Sequence, residues 1–508
     1  MNSERTGEPE NMEAEIVIIG GGGAGMAAAL TAAEKGCTNI TVLEKAGSPG
    51  GNSAMAHDLF GAESPVQIRM GTDARRDNFF KTAMRWSHWS KVNPRLVRAF
   101  IDKSGDTIRW LEEKGIKFEL GQYYINQSPR IRHCIEGEGA ELMKTLTRLC
   151  KEMDVEVLTH TRAYKLLREE KGGVTGVLAR MKDKEIVIHG KCVIVTTGGY
   201  AGNKELLQQY CSYYSPENVT NDGVPSNVGD GIFMASEIGV AMAGLGHIMF
   251  RGPVAYSSKP ALLMLGDGQF RVILGTLVWE PQTLWVNKRG RRFIDEGHNL
   301  ASFSSANVVA QQPDCIMFTL FDDTTRQSME ERGLIRPGAY GGQIGTRFKR
   351  PLAGMPVPGL GMELQKKAAS DTTLKISDSL EEIAAWMGAR VDILKATVEE
   401  YNSSCDQGHD SIFCKERRYL LPVRKAPYYA IKGHASICDA IGGIKINERM
   451  EALDSEDEPI PGLYAGGSTT GCWESENYCY EMTGHLLGFA INSGRIAGEN
   501  AVKYISER

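Results

Sequence analysis

The sequence of 508 residues predicts a doubly wound α/β domain interrupted by an α+β insertion, on the strength of three observations. A strand, a glycine turn, a helix and a second strand open the chain. A strand, a turn and a long helix close it. Between them, from about 245 to 429, the pattern becomes irregular and rich in Pro, Gly and aromatic residues. The expected division is a disordered leader over 1–11, a nucleotide-binding domain over 12–244 and 430–508, and a capping domain over 245–429. A chain of this length exceeds what one hydrophobic core usually holds, so more than one domain is expected.

The opening segment reads EIVIIGGGGAGMAAALTAAEKG (15–36) followed by ITVLEKAGSPGGNSAMA (40–56). This is the pattern of a dinucleotide-binding unit. Gly20 makes the tight turn, Gly22 lets the backbone approach a pyrophosphate, and Gly25 lets the helix pack on its strand. The helix N-terminus offers free amides and a positive dipole end to phosphate. Glu44 ends the second strand, where a carboxylate accepts hydrogen bonds from ribose hydroxyls.

The stretch 73–118 has helical spacing, and 155–180 alternates like two strands joined by a Gly-Gly turn. Residues 184–203 read as a hairpin-like pair entering a buried strand closed by Gly198 and Gly199. A helix is expected within 229–244, and two more at 378–388 and 390–402. The closing pattern is GLYAGGSTTG (462–471) and GHLLGFAINSGRIAGENA (484–501). Trp86, Trp89 and Trp110 are expected to bury as packing residues, and Arg289, Arg291 and Arg292 to form a solvated turn.

The formal net charge of −5 argues against nucleic acid or an anionic membrane surface as partner. No run of eighteen apolar residues occurs, so no membrane span is expected. The polar, acidic first fourteen residues argue against export, and an odd count of 11 cysteines suggests free thiols in a reducing, cytoplasmic setting. Cysteine spacings for haem, zinc or an iron–sulfur cluster are missing, so no metal site is expected.

In this order GGGGAG, LEK, GGNSAMA, VIVTTGGY, GDG, LWVNKRGRRFIDE (284–296), IGGIKIN (441–447), IPGLYAGG and GRIAG resemble the fumarate reductase/succinate dehydrogenase flavoprotein superfamily. That group includes ene-reductases and 3-ketosteroid dehydrogenases. The resemblance runs from about 14 to 503 and implies an FAD domain with a mobile cap, the substrate lying between cap and flavin. Carried over by position, Gly20, Gly22, Ala24 and Gly25 would face the FAD pyrophosphate, and Glu44 with Lys45 the adenosine ribose end. Gly51, Asn52, Ser53 and Ala56 would meet the ribityl–isoalloxazine side, and Ala163 the adenine edge through its backbone. Thr197 and Gly198 occupy the family's A-T-G-G turn, and Asp230, Gly467 and Ser468 would lie near the sugar-alcohol chain. His485, Leu486 and Leu487 would open the helix that stabilises the reduced flavin. Asn52 stands where membrane-bound relatives attach FAD through histidine, which implies noncovalent FAD.

The resemblance breaks at the substrate side. Glu481 stands where fumarate reductases place a carboxylate-clamping Arg, a clamp His is replaced within CDAIGG (438–443), and Leu300 lies near the position of the proton-donating Arg. A carboxylate in such a clamp repels a dicarboxylate at short range. In their place ESENYCYEMTG (474–484) carries Tyr478 and Tyr480. A phenol is protonated at neutral pH and can donate to a carbonyl or to carbon; the alternative is that both tyrosines only pack. Arg251 would bind an anionic or carbonyl oxygen or form a surface ion pair, and His434, His247 and His298 would relay protons or satisfy structural bonds.

The expected activity is FAD-dependent reduction of an activated C=C bond next to a carbonyl in a small, ring-containing molecule such as a steroid or polyphenol. The rivals are desaturation of a cyclic ketone and a non-catalytic electron carrier. Electrons would come from NAD(P)H, free reduced flavin or a separate donor protein.

Overall fold

Ile16, Val17 and Ile18 are fully buried and Ile19 nearly so, as a strand covered on both faces requires. The computed structural model describes residues 10–121, 131–170, 172–182, 184–255, 274–300, 304–335, 354–370, 372–475 and 477–508. For Arg251, Asn299 and Leu300 only the backbone is described. The first strand, Glu10–Ile19, is central to an eight-stranded sheet and already includes two residues expected in the leader. It pairs in parallel with Ile40–Leu43 on one side and Lys184–Val195 on the other. Glu156–Leu158 and Pro459–Ala465 extend the parallel set outward.

The hairpin-like pair expected over 184–203 is instead one continuous strand, Lys184–Val195. Gly190 does not turn the chain. It lies in register with Ala14, and a Cβ there would come within 2.8 Å of Val17 Cγ2. The glycine marks close approach inside a strand rather than a turn. The other expected pair forms as Thr161–Arg168 against Val174–Met181, around Gly172 and Gly173.

The first and last helices, Gly23–Glu34 and His485–Ser506, pack on the same side through their backbones. A Cβ on Gly494 would lie 2.1 Å from Ala24 O, and one on Gly498 2.5 Å from Ala28 O. The alanine-rich first helix is thus buried along almost its whole length.

A second, six-stranded sheet is built around the long strand Tyr428–Ile444. Met242–Ala255, Ile316–Asp322 and Leu374–Ser377 run antiparallel to it, and Thr220–Asn221 pairs in parallel. Leu284–Asn287 adds the outer strand beyond Ile316–Asp322. The two expected helices appear as Leu380–Met387 and Val391–Gln407. Arg292, expected in a solvated turn, is buried with Glu296 (2.8 Å) and Asp410 (2.7 Å), and Lys415 joins Glu296 at 3.2 Å. Two cations balance two carboxylates, so the cluster is buried without net charge.

A three-stranded sheet, Asp58–Phe60, Phe118–Gly121 and Arg132–Ile135, abuts the start of the last helix through Phe60 N–H, which donates to Gly484 O (3.0 Å). All eleven cysteines are free thiols. Among the described residues no helix is long and apolar enough to cross a membrane.

Candidate active site

The first glycine turn is held by side chains that would otherwise be free for a ligand. Gly20 has φ +108°, and a Cβ there would strike Thr196 O at 2.4 Å. Gly21 N–H donates to Glu44 Oε2 (2.8 Å) and Ala46 N–H to Oε1 (2.7 Å). Each carboxylate oxygen keeps a second acceptor position, so Glu44 can both brace the turn and meet a ribose.

The helix beginning at Gly23 has no side-chain cap at Gly22. Ser53 Oγ accepts from Gly23 N–H (3.1 Å), tying the Gly51–Met55 turn to the helix start. A Cβ on Gly22 would meet nothing nearer than Gly50 O at 4.0 Å, and one on Gly51 nothing nearer than Gly22 Cα at 3.8 Å. Open space lies beside free helix amides, with a carboxylate one strand away. That donor and acceptor set fits the pyrophosphate and ribose of a dinucleotide. Ala24 and Gly25 are buried in the first helical turn, and a Cβ on Gly25 would collide with Gly20 O at 1.9 Å.

Lys45 reaches Asp230 (2.6 Å) and also donates to Ser226 O. Arg162 takes the other Asp230 oxygen (2.6 Å). The residue expected near the sugar-alcohol chain therefore pairs with two cations at the cradle's rim, leaving one net positive charge there. Thr197 Oγ1 accepts from Gly231 N–H (3.2 Å) and meets Thr469 Oγ1 at 3.2 Å. Gly198 has φ +77° and faces Asn227. Ala163 is buried in its strand, and the Ala56 carbonyl accepts from Gly139 N–H (2.7 Å).

Asn52 is already engaged: its Oδ1 accepts from Val224 N–H (2.8 Å). Gly467 N–H donates to Ser493 Oγ (2.9 Å), and Ser468 Oγ–H donates to Asp439 (2.6 Å). Asp439 is not among the residues expected at the site. Its signal is its place in CDAIGG, the segment where the clamp His is missing.

At the head of the last helix Gly484 N–H donates to the Tyr478 oxygen (3.1 Å). Tyr478 stacks on the His485 ring, 4.2 Å between centroids, and meets Tyr480 edge-on at 5.0 Å. Trp86 packs edge-on against Tyr480 and donates its indole N–H to Asn477 O (2.9 Å), a directed role beyond packing. Trp89, expected to be buried, is 64% exposed, whereas Trp110 is buried and donates to Glu34 (2.8 Å). Trp473 stacks on Phe489 at 4.0 Å. Leu487 is buried and Leu486 half-buried at the start of the same helix.

The two tyrosines differ in their protons. Tyr480 O–H donates to Phe250 O (2.9 Å), so its hydrogen is committed to the fold. Tyr478 accepts from an amide and keeps its own hydrogen for another acceptor. Burial holds the Tyr478 phenol well above its ordinary pKa, so it remains protonated.

His485 Nδ1–H donates to Met482 O (2.9 Å), while Nε2 faces Glu474. Glu474 also accepts from Ser475 N–H (2.9 Å) and Cys479 N–H (3.2 Å). Both ring nitrogens are engaged, Nδ1 by the Met482 carbonyl and Nε2 by the Glu474 carboxylate, so the ring plane is fixed. Glu474 was not among the sequence-derived candidates, although its segment was.

The remaining candidates fall elsewhere. His434 is buried in the long strand, Nδ1 donates to Ala435 O (2.8 Å), and burial lowers its pKa. This geometry gives it a structural bond rather than a place at the helix head. His298 bonds Ser304 Oγ (2.7 Å). His247 is buried, its Nδ1 has no hydrogen-bond partner, and burial takes its pKa down to about 4. Arg251 pairs with Ser436 through its backbone, but its side chain lies outside the described residues, as does that of Leu300. Glu481 is 58% exposed, 4.0 Å from Arg85. It does not supply the buried short-range repulsion expected from the sequence.

The chain belongs to the FAD binding domain family, whose model matches residues 15–480. FAD is therefore its cofactor, and the uncapped helix, open glycines and Glu44 are where the fold can hold it. The chain is 28% identical to the vinyl phenol reductase of Lactiplantibacillus plantarum over 97% of both chains. It is 27% identical to a probable fumarate reductase of Shewanella frigidimarina, over 97% of this chain and 76% of that one. Among solved structures it matches the open conformation of a flavocytochrome c3 fumarate reductase with a TM-score of 0.69 and 25% identity, covering 97% of this chain and 79% of that one. A 3-ketosteroid-Δ4-(5α)-dehydrogenase of Rhodococcus jostii shares the fold, with a TM-score of 0.71, 21% identity and 99% of both chains covered. By their names, the first two relatives reduce C=C bonds. This chain is an FAD-dependent oxidoreductase acting on CH–CH groups.

Proposed function

We propose that this protein reduces an activated C=C bond in a small, neutral, ring-bearing substrate, with Tyr478 as the proton donor. The observation that carries the reading is the pairing at the helix head: an amide on the Tyr478 oxygen and a hydroxyl hydrogen left to give. FAD, when bound, supplies the hydride. Gly484 N–H stabilises the phenolate that forms once the proton has left, in the manner of an oxyanion hole. The His485 ring beneath Tyr478 fixes its plane, and Glu474 in turn holds that ring in place. Tyr480 and Trp86 wall the corner with apolar surface that suits a ring.

The aryl-conjugated alkene named in the 28% identical relative meets this description, as does a cyclic enone. Noncovalent FAD is part of the proposal, because Asn52 offers an amide and no imidazole. The electron donor is proposed to be external: reduced nicotinamide, free reduced flavin or a donor protein.

The test is anaerobic stopped-flow reoxidation of the chemically reduced holoprotein. A vinyl phenol or cyclic enone is expected to reoxidise the flavin at least tenfold faster than fumarate does. Equal or faster reoxidation by fumarate would overturn the substrate class. Bleaching of the oxidised protein by saturated analogues, with no reoxidation by alkenes, would reverse the direction.

A further inference from the structure

Asp439 is a buried carboxyl, 5% exposed, at the meeting point of the segments assigned to the flavin. Ser468 Oγ–H donates to one oxygen at 2.6 Å and the Ala440 amide to the other at 3.0 Å. The Asn52 side chain bonds it as well. A Cβ on Gly199 would come within 2.9 Å of Asp439 Oδ1, so the carboxyl also seats against the Thr197–Gly199 turn.

What surrounds this carboxyl is uncharged. The Gly51–Met55 turn presents Asn52, the Gly467–Thr469 turn Ser468, and the neighbouring strand places Met249 opposite it in register. The adjoining turn brings the Tyr200 phenol, itself held protonated by burial. Among the described residues no cation acts on it; Lys45 and Arg162 turn to Asp230 instead. A carboxyl with three donors and no cation has its charge solvated by dipoles alone. Burial outweighs those bonds and raises its pKa to about 6.

We infer that Asp439 is a proton acceptor coupled to flavin reduction. Two electrons and one proton delivered to FAD leave one added negative charge in the cradle. A second proton, drawn from solvent onto the Asp439 carboxylate, cancels it, so that two electrons enter with two protons. On reoxidation by substrate the Asp439 proton returns to solvent. In the experiment the electrons come from a reduced viologen mediator. The inference rests on the location of FAD and is independent of which alkene is reduced.

The test is an anaerobic spectroelectrochemical titration of FAD in the holoprotein and in Asp439→Asn, from pH 5 to 9. For a two-electron couple one extra proton makes the reduction equilibrium tenfold more pH-dependent per unit, about 30 mV. The wild-type potential is expected to fall more steeply than that of Asp439→Asn, by this amount, in a window opening near pH 6. Every other ionisable group is present in both proteins, so the difference isolates Asp439. Parallel lines would overturn the inference. Should Asp439→Asn fail to retain FAD, Asp439→Glu keeps an ionisable group in a different place. A displaced break then supports the coupling, and an unmoved break overturns it.

Discussion

Around the first glycine turn the groups on offer are backbone amides that glycines bring into the open; around Tyr478 they are side-chain atoms held by packing. The cradle's amides are fixed by the course of the chain, with Glu44 and Ser53 as braces. In the aromatic corner the chain course is not enough. Tyr478 and Tyr480 are two residues apart and both buried, yet one donates its proton to Phe250 O while the other accepts from Gly484 N–H. A backbone site is specified by where glycines fall. A side-chain site is specified by which partners arrive from distant strands.

Separating the two tyrosines is the strongest test of this contrast. Tyr478→Phe is expected to slow substrate-driven flavin reoxidation by roughly a hundredfold or more, in the range for loss of a general acid, with FAD content unchanged. Tyr480→Phe removes the bond to Phe250 O and is expected to cost about 1 kcal/mol of stability, with less than a tenfold change in rate. Stopped-flow reoxidation and urea denaturation of both variants read these outcomes. Reversed rates would give Tyr480 the proton and undo the assignment.

The cradle can be divided in the same way, into glycines that serve the chain and glycines that serve the ligand. Alanine at Gly25 would force its Cβ to 1.9 Å from Gly20 O, whereas at Gly22 it enters open space. Gly25→Ala is therefore expected to destabilise even the FAD-free protein by about 3 kcal/mol, the upper end for overpacking. Gly22→Ala should leave FAD-free stability within about 0.5 kcal/mol while weakening FAD binding roughly a hundredfold, about 2.7 kcal/mol. Thermal unfolding of stripped protein and FAD titration by fluorescence separate the two. A stable, FAD-binding Gly25→Ala protein would show that the turn can open.

This division also explains what the sequence made legible. The parallel sheet, its glycine turn, Glu44 and the last helix follow from local pattern, because backbone geometry repeats wherever the pattern does. The single strand over 184–195 was not legible, since a glycine such as Gly190 between two apolar runs looks the same in a turn as in a strand pressed against Val17. Glu474 and Asp439 escaped singling out for a different reason. Their importance comes from His485, eleven residues away, and from Asn52 and Ser468, on separate turns, and no local period records such partners. Arg292 shows the converse, an exposed-looking charge that Asp410, far along the chain, makes burial possible for.

The two regions also separate by their response to acid. His133 supports the small sheet that abuts Gly484: its Nδ1 donates to Ile131 O (2.9 Å) and its Nε2 accepts from Ser64 Oγ–H (2.6 Å). Burial lowers its pKa from the ordinary 6.5 to about 4, and His247 near Glu474 is lowered likewise. A depressed histidine pKa means that the unfolded chain binds the proton first. Stability from each is whole above pH 6.5 and is lost as pH falls from there to about 4. Asp439 has the opposite sign: its raised pKa means the folded state takes up the proton first, so its contribution improves as pH falls from about 6 toward the usual carboxylate range. Acid thus loosens the corner while relieving the cradle. Between pH 7 and 5 the wild type is expected to lose about 2 kcal/mol per buried histidine, at about 1.4 kcal/mol per pH unit below 6.5. His133→Gln, starting from a lower stability, should show a shallower loss by that amount when urea midpoints are compared across this range. Equal slopes would mean that His133 is protonated in the folded protein and makes no such contribution.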